Sequence, residues 1–130
     1  MATKVIVPAG SVSQVFRPTL MHTSGGPLTG LVYNTSGLPA TYLRQSSATL
    51  TSISLVNITM LGTYVSCGFK VVDAATYPGL YEFDPPNACF AAGDTAVTIL
   101  ISGAANLVPY RYDVQLEPVL TTAMVRASYP

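Results

Sequence analysis

The sequence predicts an all-β protein, a single β-sandwich with immunoglobulin-like topology, with a jelly roll as the alternative. Val, Ile, Thr and Tyr, which favour strands, are frequent throughout the chain. Ten Gly and ten Pro interrupt the chain at intervals too short for long helices. Between these breaks, apolar and polar residues alternate with the period of a half-buried strand, giving roughly seven to nine short strands. One sequence does not reveal strand order, so both topologies stay open.

Several segments have the alternation of a strand. The clearest are residues 95–102 and 110–116, in which every second residue is apolar and the intervening ones are mostly polar. We also predict strands, in chain order, at residues 4–7, 11–16, 28–33, 40–45 and 68–73, and a further strand between a turn at Pro78-Gly79 and the stop at Pro85-Pro86.

Residues 47–60 are rich in Ser and Thr and contain a break in the alternating pattern. Leu55 and Val56 are both apolar and adjacent, so the two-residue period fails between them. We therefore predict a bulge or a turn near Val56 and Asn57.

A short helical turn is predicted at residues 87–92. Pro85 and Pro86 can begin such a turn, and Gly93 can end it. We expect this turn to cross the edge of the sandwich.

The chain of 130 residues suits one domain, predicted at residues 11–117. Residues 1–10 are predicted to form an N-terminal arm or an edge strand, and residues 118–130 a C-terminal arm. Both ends carry apolar residues, and apolar arms usually dock on a neighbouring subunit. The predicted assembly contacts are Val5, Ile6, Val7, Val119, Leu120, Met124 and Val125.

The composition points to a surface that binds other proteins. Charged residues make up 9% of the chain and apolar residues 49%, whereas an ordinary soluble domain has about 25% charged residues. So few charges protect poorly against association, which suggests that partners cover much of the surface. No apolar run approaches the ~20 residues that span a bilayer, and no basic cluster favours nucleic acid. We therefore expect neither a membrane nor a nucleic-acid partner.

The charges are unevenly distributed along the chain. Residues 1–70 contain four cations and no acid, whereas residues 71–130 contain six acids and two arginines, so the halves carry +4 and −4. The opposite charges can pair within the fold, or they can form complementary patches that orient subunits.

Residues suited to metal binding or covalent chemistry are scarce. Cys67, Cys89 and His22 have no recognised zinc-binding spacing, and no metal site is predicted. The glycine-containing stretches match neither a P-loop nor a dinucleotide fingerprint, so no cofactor is predicted. The first residues lack the apolar core of a signal peptide. We expect synthesis in a reducing compartment, with both thiols free and buried.

The best candidate for a catalytic site is the acid pair Glu82 and Asp84, in the stretch YPGLYEFDPP. Residues two apart in a strand project from the same face, about 6.5–7 Å apart, a spacing that overlaps that of inverting glycosidases. Tyr81 and Phe83 occupy the opposite face, which is typical of a strand with aromatics inside and acids in solvent. We therefore predict that the two acids face water and that the chain has no catalytic residue.

Several short motifs follow one another along the chain in an order that indicates a protein family. It runs through GPLTGLVYNTSGLPATYLRQ (26–45), ISLVNIT (53–59), GFKVVDAATYPGLYEFDPPNACFAAGD (68–94), AVTILISGAANLVP (96–109) and DVQL (113–116). The key elements are Gly-Leu-Tyr at 79–81, Pro85, a turn ending in Gly93-Asp94, and Gly-Ala-Ala-Asn at 103–106. This order resembles a small β-sandwich domain of accessory structural proteins of tailed bacteriophages and prophages.

The resemblance implies a non-enzymatic virion protein made in the host bacterial cytoplasm. The sequence has no coiled coil, collagen-like repeat or receptor-binding tip, which favours capsid decoration or cementing over a fibre role. The implied partners are other virion proteins, the major capsid protein above all, and the chain itself as a dimer or trimer. The alternatives are a tail fibre, baseplate or neck adaptor domain, and a receptor- or carbohydrate-binding module that uses exposed tyrosines.

Overall fold

A computed structural model describes residues 2–38 and 40–118 of the chain. These residues form eight strands and one short 3₁₀ helix. The strands are β1 (Ala2–Pro8), β2 (Ala40–Arg44), β3 (Thr51–Ile53), β4 (Val56–Asn57), β5 (Gly68–Asp73), β6 (Tyr77–Asp84), β7 (Ala96–Ile101) and β8 (Tyr110–Glu117). The helix spans Asn87–Phe90 and confirms the predicted helical turn.

The larger sheet has five strands in the order β1-β8-β7-β2-β3. The pairs β8–β7, β7–β2 and β2–β3 are antiparallel, whereas β1 runs parallel to β8 from Ala2 beside Arg111 to Pro8 beside Glu117. The N-terminal residues therefore form an edge strand rather than an arm.

The smaller sheet has three strands in the order β4-β5-β6, and a further piece of chain lies beside β6. We call residues 16–20 the flanking segment. Phe16 exchanges both backbone hydrogen bonds with Phe83, and the Tyr81 N–H donates to the Pro18 carbonyl at 3.0 Å. Proline has no N–H to return that bond, which is why the segment pairs with β6 only in isolated bridges.

The two sheets pack face to face as a sandwich. The order β8-β7-β2-β3 corresponds to strands G, F, C and C′ of an immunoglobulin variable domain, and the flanking segment, β6 and β5 correspond to B, E and D. The prediction of an all-β sandwich is confirmed, and this strand order favours the immunoglobulin-like topology over the jelly roll.

Aromatic rings join the two sheets in the core. The ring of Phe16, beside the smaller sheet, lies 4.6 Å from that of Tyr112 on β8. Within the smaller sheet, Phe69 on β5 stacks on Tyr81 on β6 at 5.1 Å. The alternating apolar residues of β7 and β8 all point into this core, as their sequence pattern predicted.

The strand predicted at residues 11–16 is wrong. Ser13 has a φ of +57°, in the left-handed region, and its N–H donates to the Asn87 side chain at 2.8 Å. An extended strand cannot pass through a left-handed residue, so pairing begins only at Phe16.

The strand predicted at residues 28–33 is also wrong. The segment wraps around the Tyr81 hydroxyl, which donates to the Leu28 carbonyl at 2.8 Å and accepts from the Leu31 N–H at 3.3 Å. Gly30 turns the chain between these contacts with a φ of +84°. A buried side chain thus binds the backbone groups that a neighbouring strand would otherwise pair with.

The break in alternation at Leu55 and Val56 marks a change of sheet. β3 ends at Ile53 in the larger sheet, and β4 begins at Val56 in the smaller one. The predicted irregularity is therefore a crossing between the two layers of the sandwich.

The C-terminal arm predicted at residues 118–130 lies outside the described residues, apart from Pro118. Within the part of the chain that the structure describes, no helix has the length and apolarity needed to cross a membrane.

Candidate functional site

The acid pair does not face water, contrary to the prediction. Both Glu82 and Asp84 are 0% exposed, although they lie on the face of β6 that is turned away from Tyr81 and Phe83. β6 is therefore buried on both faces. The alternating pattern was correct, but the inference that its polar face is solvated was wrong.

The second face of β6 is covered by the connection between β4 and β5, which we call the covering segment (residues 58–67). These two strands are parallel neighbours, so the chain must cross back over the sheet between them. Ile58 anchors the start of the segment with 0% exposure, and the Tyr64 hydroxyl donates to the Pro85 carbonyl at 2.8 Å.

Glu82 binds the covering segment and the flanking segment at once. Its carboxylate accepts the Gly62 N–H at 3.0 Å and forms an ion pair with the Arg17 guanidinium at 3.1 Å. The Arg17 side chain is 53% exposed, so only the acid is taken out of water. A buried carboxylate needs such partners because an unpaired charge inside a protein is costly.

Asp84 is less well satisfied. Its Oδ2 accepts the Val65 N–H at 2.9 Å, whereas no group among residues 2–38 and 40–118 hydrogen-bonds Oδ1. Burial raises the pKa of the Asp84 carboxyl to about 6, and the nearby Glu82 carboxylate adds to this rise against the opposing Val65 hydrogen bond.

The arrangement of these acids suits an anchor for the covering segment. In a glycosidase the two carboxyls must reach a sugar and a water between them, whereas here neither carboxyl is accessible to solvent. Each instead accepts a backbone N–H of the covering segment, and together they fix that segment over the smaller sheet.

The two cysteines are free in the structure. Cys89 is buried beside the core, where desolvation raises the pKa of its thiol to about 12, and Cys67 is half-buried. The His22 ring accepts the Ser24 N–H at 3.0 Å. Within the described residues, no three or more His, Cys, Asp or Glu side chains cluster as metal ligands would.

The larger sheet, unlike the smaller one, has a solvent-accessible second face. We use the term outer sheet face for the side chains of this sheet that point away from the core. All are exposed or half-buried, so no described part of the chain covers them: Ala2, Lys4, Ile6, Thr41, Leu43, Ser52, Ala96, Thr98, Leu100, Arg111, Asp113, Gln115 and Glu117.

The outer sheet face combines apolar and small polar side chains with four charged ones, Lys4, Arg111, Asp113 and Glu117. In the strand register Leu100 lies between Arg111 and Thr41, and Thr98 lies between Asp113 and Leu43. Three shallow depressions open on it, with volumes of about 340, 350 and 230 Å³. Sequence alternation indicated the polar side of β8, but the whole face emerges only from the strand order.

The charged groups of this face are distributed along the strands. Arg111 lies near the start of β8, where its Nε is 3.1 Å from Oδ1 of Asp113, and Glu117 lies at the other end of the strand. Lys4 lies beside Asp113 in the register of β1 and β8. The face therefore has cations towards one end and an acid at the other.

The predicted assembly contacts occupy different environments. Ile6 belongs to the outer sheet face and is 65% exposed, whereas Val7 is 3% exposed and packs in the core. Val5 is half-buried against the core. Val119, Leu120, Met124 and Val125 lie outside the described residues.

Comparison with known proteins gives no further relationship. No known protein-family model matches the chain, and searches of curated proteins and of solved structures find no significant match. The evidence on function is therefore the geometry described above and the order of the sequence motifs.

Proposed function

We propose that the chain is a non-enzymatic structural protein that binds other proteins of an assembly. The observation that carries this proposal is the outer sheet face, a surface of apolar, small polar and charged side chains that the described chain leaves uncovered. Surfaces that mix exposed apolar side chains with polar and charged ones are typical of protein interfaces.

The asymmetry of the sandwich supports the proposal. The smaller sheet is covered by its own chain, which buries Glu82 and Asp84 to do so. Among residues 2–38 and 40–118, no segment covers Leu43, Thr98 and Leu100 of the larger sheet in this way. One layer of the fold is thus closed internally, and the other remains available to a partner.

More specifically, we propose a virion protein of a tailed bacteriophage that decorates or cements the capsid by binding the major capsid protein and itself. The support for this finer assignment is the resemblance of the motif order over residues 26–116. The low content of charged residues, 9%, also fits a chain that functions within a larger particle.

The test is to prepare phage particles from a genome that lacks the coding sequence, then add back the purified full-length chain. We expect the chain to sediment with the particles in a saturable manner, and electron cryomicroscopy to show added density at regular positions on the head. Particles without the chain should lose their DNA at a lower temperature than particles to which it has been restored.

Two outcomes contradict parts of the proposal. Density on a fibre, baseplate or neck would overturn the capsid assignment and support the adaptor alternative. Absence of the chain from purified particles would overturn the virion assignment as a whole. A full-length Val125→Asp variant tests the predicted C-terminal contacts, since unchanged binding to particles shows that this residue is not a contact.

A further inference from the structure

We propose that the outer sheet face docks on the same face of a second copy, forming a two-fold symmetric dimer of face-to-face sandwiches. This inference rests on the proposed function only in treating the face as a docking surface. It assigns the outer sheet face to one of the two partners of that proposal, a second copy of the chain, and gives the orientation in which the copies meet.

The charges of the face support a second copy as the partner. Lys4 and Arg111 are balanced by Asp113 and Glu117, so the face as a whole carries no net charge. A strongly charged partner surface would find no complement here. A second copy of the same face is complementary to it, because the cations and the terminal acid are separated along the strands and can face each other.

The positions of these charges select one orientation. In a two-fold dimer, residue i contacts residue j and j contacts i. An axis parallel to the strands sets the end of the face that carries the cations against the same end of the copy, which is unfavourable. An axis running across the strands reverses β8 against its copy and brings Arg111 towards Glu117 at both ends of the interface.

The size of the face is sufficient for a weak dimer. Five strands spaced about 4.8 Å apart and up to eight residues long cover about 500 Å² per copy. Together the two copies bury about 1,000 Å², the lower limit for a specific interface. We therefore expect a weak, reversible dimer, formed at high concentration or on a particle.

The apolar side chains provide the contacts between the charged ends. Ile6 is 65% exposed, and Leu43 and Leu100 are half-buried on the same face. In the dimer these side chains lose their remaining contact with water, which is the main source of affinity in such an interface.

The first test is sedimentation equilibrium of the full chain over a concentration series reaching the high micromolar range. Wild type should shift from monomer to dimer, and Ile6→Lys should weaken the dimer at least about tenfold by placing a cation against Lys4 of the copy. Met60→Lys is the matched control, because Met60 is 67% exposed but belongs to the covering segment of the other sheet. It should associate like wild type.

The second test is a charge exchange. Arg111→Glu and Glu117→Arg should each weaken the dimer, because each brings like charges together, and the double variant should recover it. Arg111 and Glu117 are both accessible to solvent, so circular dichroism should show unchanged folding. The double variant recovers the dimer only if position 111 of one copy faces position 117 of the other, which requires the reversed orientation of β8.

The inference is overturned if wild type remains a monomer throughout the series, or if Met60→Lys dissociates the dimer and Ile6→Lys does not. Failure here is distinguishable from failure of the proposed function. A monomer that still binds particles contradicts only the dimer, whereas a dimer that is absent from particles contradicts only the virion assignment.

Discussion

Glu82 and Asp84 show how two neighbouring carboxyls acquire different properties from their surroundings. Glu82 has a cation, Arg17, at 3.1 Å, whereas Asp84 has one backbone N–H and an unpaired oxygen within the described structure. Burial therefore raises the pKa of Asp84 to about 6. The unfolded chain, with a pKa of about 3.9 for the same group, binds fewer protons between these two values.

A dependence of stability on pH follows from Asp84. Because its folded pKa is the higher one, the free energy of unfolding should rise as pH falls through 6 towards about 4, by up to about 2–3 kcal/mol. Urea denaturation at about pH 7 and about pH 5 measures this difference. Asp84→Asn should remove most of it, because the amide does not titrate.

Asp73→Asn is the matched control for that measurement. Asp73 is exposed, and hydrogen bonds from the Thr76 and Ala75 N–H groups lower its pKa. The contribution of Asp73 to stability is lost only at lower pH, as the pH falls through its lowered pKa. The Asp73→Asn variant should therefore keep the wild-type difference in the free energy of unfolding between pH 7 and pH 5. An equal loss in both variants would show that Asp84 is not the titrating group.

At the scale of elements, the covering segment packs closely on the start of β5, where the backbone of Gly68 lies against Ile58 and Val65. A Cβ placed on Gly68 would lie 2.5 Å from Cγ1 of Ile58 and 2.8 Å from the carbonyl oxygen of Val65. Neither neighbour can withdraw freely, since Ile58 is buried and Val65 is bound to Asp84.

Gly68→Ala should therefore lower the free energy of unfolding by about 1–3 kcal/mol through overpacking. Gly26→Ala is its control, because a Cβ there meets nothing within 4 Å and should change stability by less than about 0.5 kcal/mol. Denaturation midpoints of both variants supply the comparison. If the two are equally stable, the covering segment is not closely packed on β5.

Whether the sequence predicted the environment of a strand correctly depended on what covers the face turned away from the core. β7 and β8 have a core face and an accessible face, so residue polarity alone identified their orientation. In β6 the polar face is covered by Arg17 and Gly62, which are 65 and 20 residues from Glu82 in the chain. Alternation reports which side chains are polar, but it does not report what a distant segment places over them.

The same limit applies to the candidate sites. The sequence indicated the acid pair, but its role as an anchor depends on the crossover between two parallel strands, which alternation does not encode. The outer sheet face joins residues from both ends of the chain, such as Ile6 and Gln115, through a strand order that local patterns do not reveal.

At the scale of the whole molecule, the sandwich places its two thiols at different depths. Cys89 lies buried beside the core and Cys67 is half-buried near the surface. Exposing Cys89 requires opening of the fold, whereas Cys67 needs only local motion. The high pKa of Cys89, about 12, further keeps it as a thiol at neutral pH.

Titration with a thiol reagent should distinguish the two. The native chain should react at one thiol and the chain in urea at both. Cys67→Ser should abolish the native reaction and leave one thiol in urea, and Cys89→Ser should leave the native reaction unchanged. Rapid native modification of both thiols would show that the core opens readily.

The parallel pairing of β1 with β8 has a consequence for how the chain folds. It joins the first and last of the described strands, and the Thr3 hydroxyl meets the Tyr110 hydroxyl at 2.7 Å across 107 residues of sequence. During synthesis, β1 emerges from the ribosome first and must wait for β8 before it can pair. Such long-range closure slows folding, so the edge of the larger sheet should be the last part of the sandwich to form.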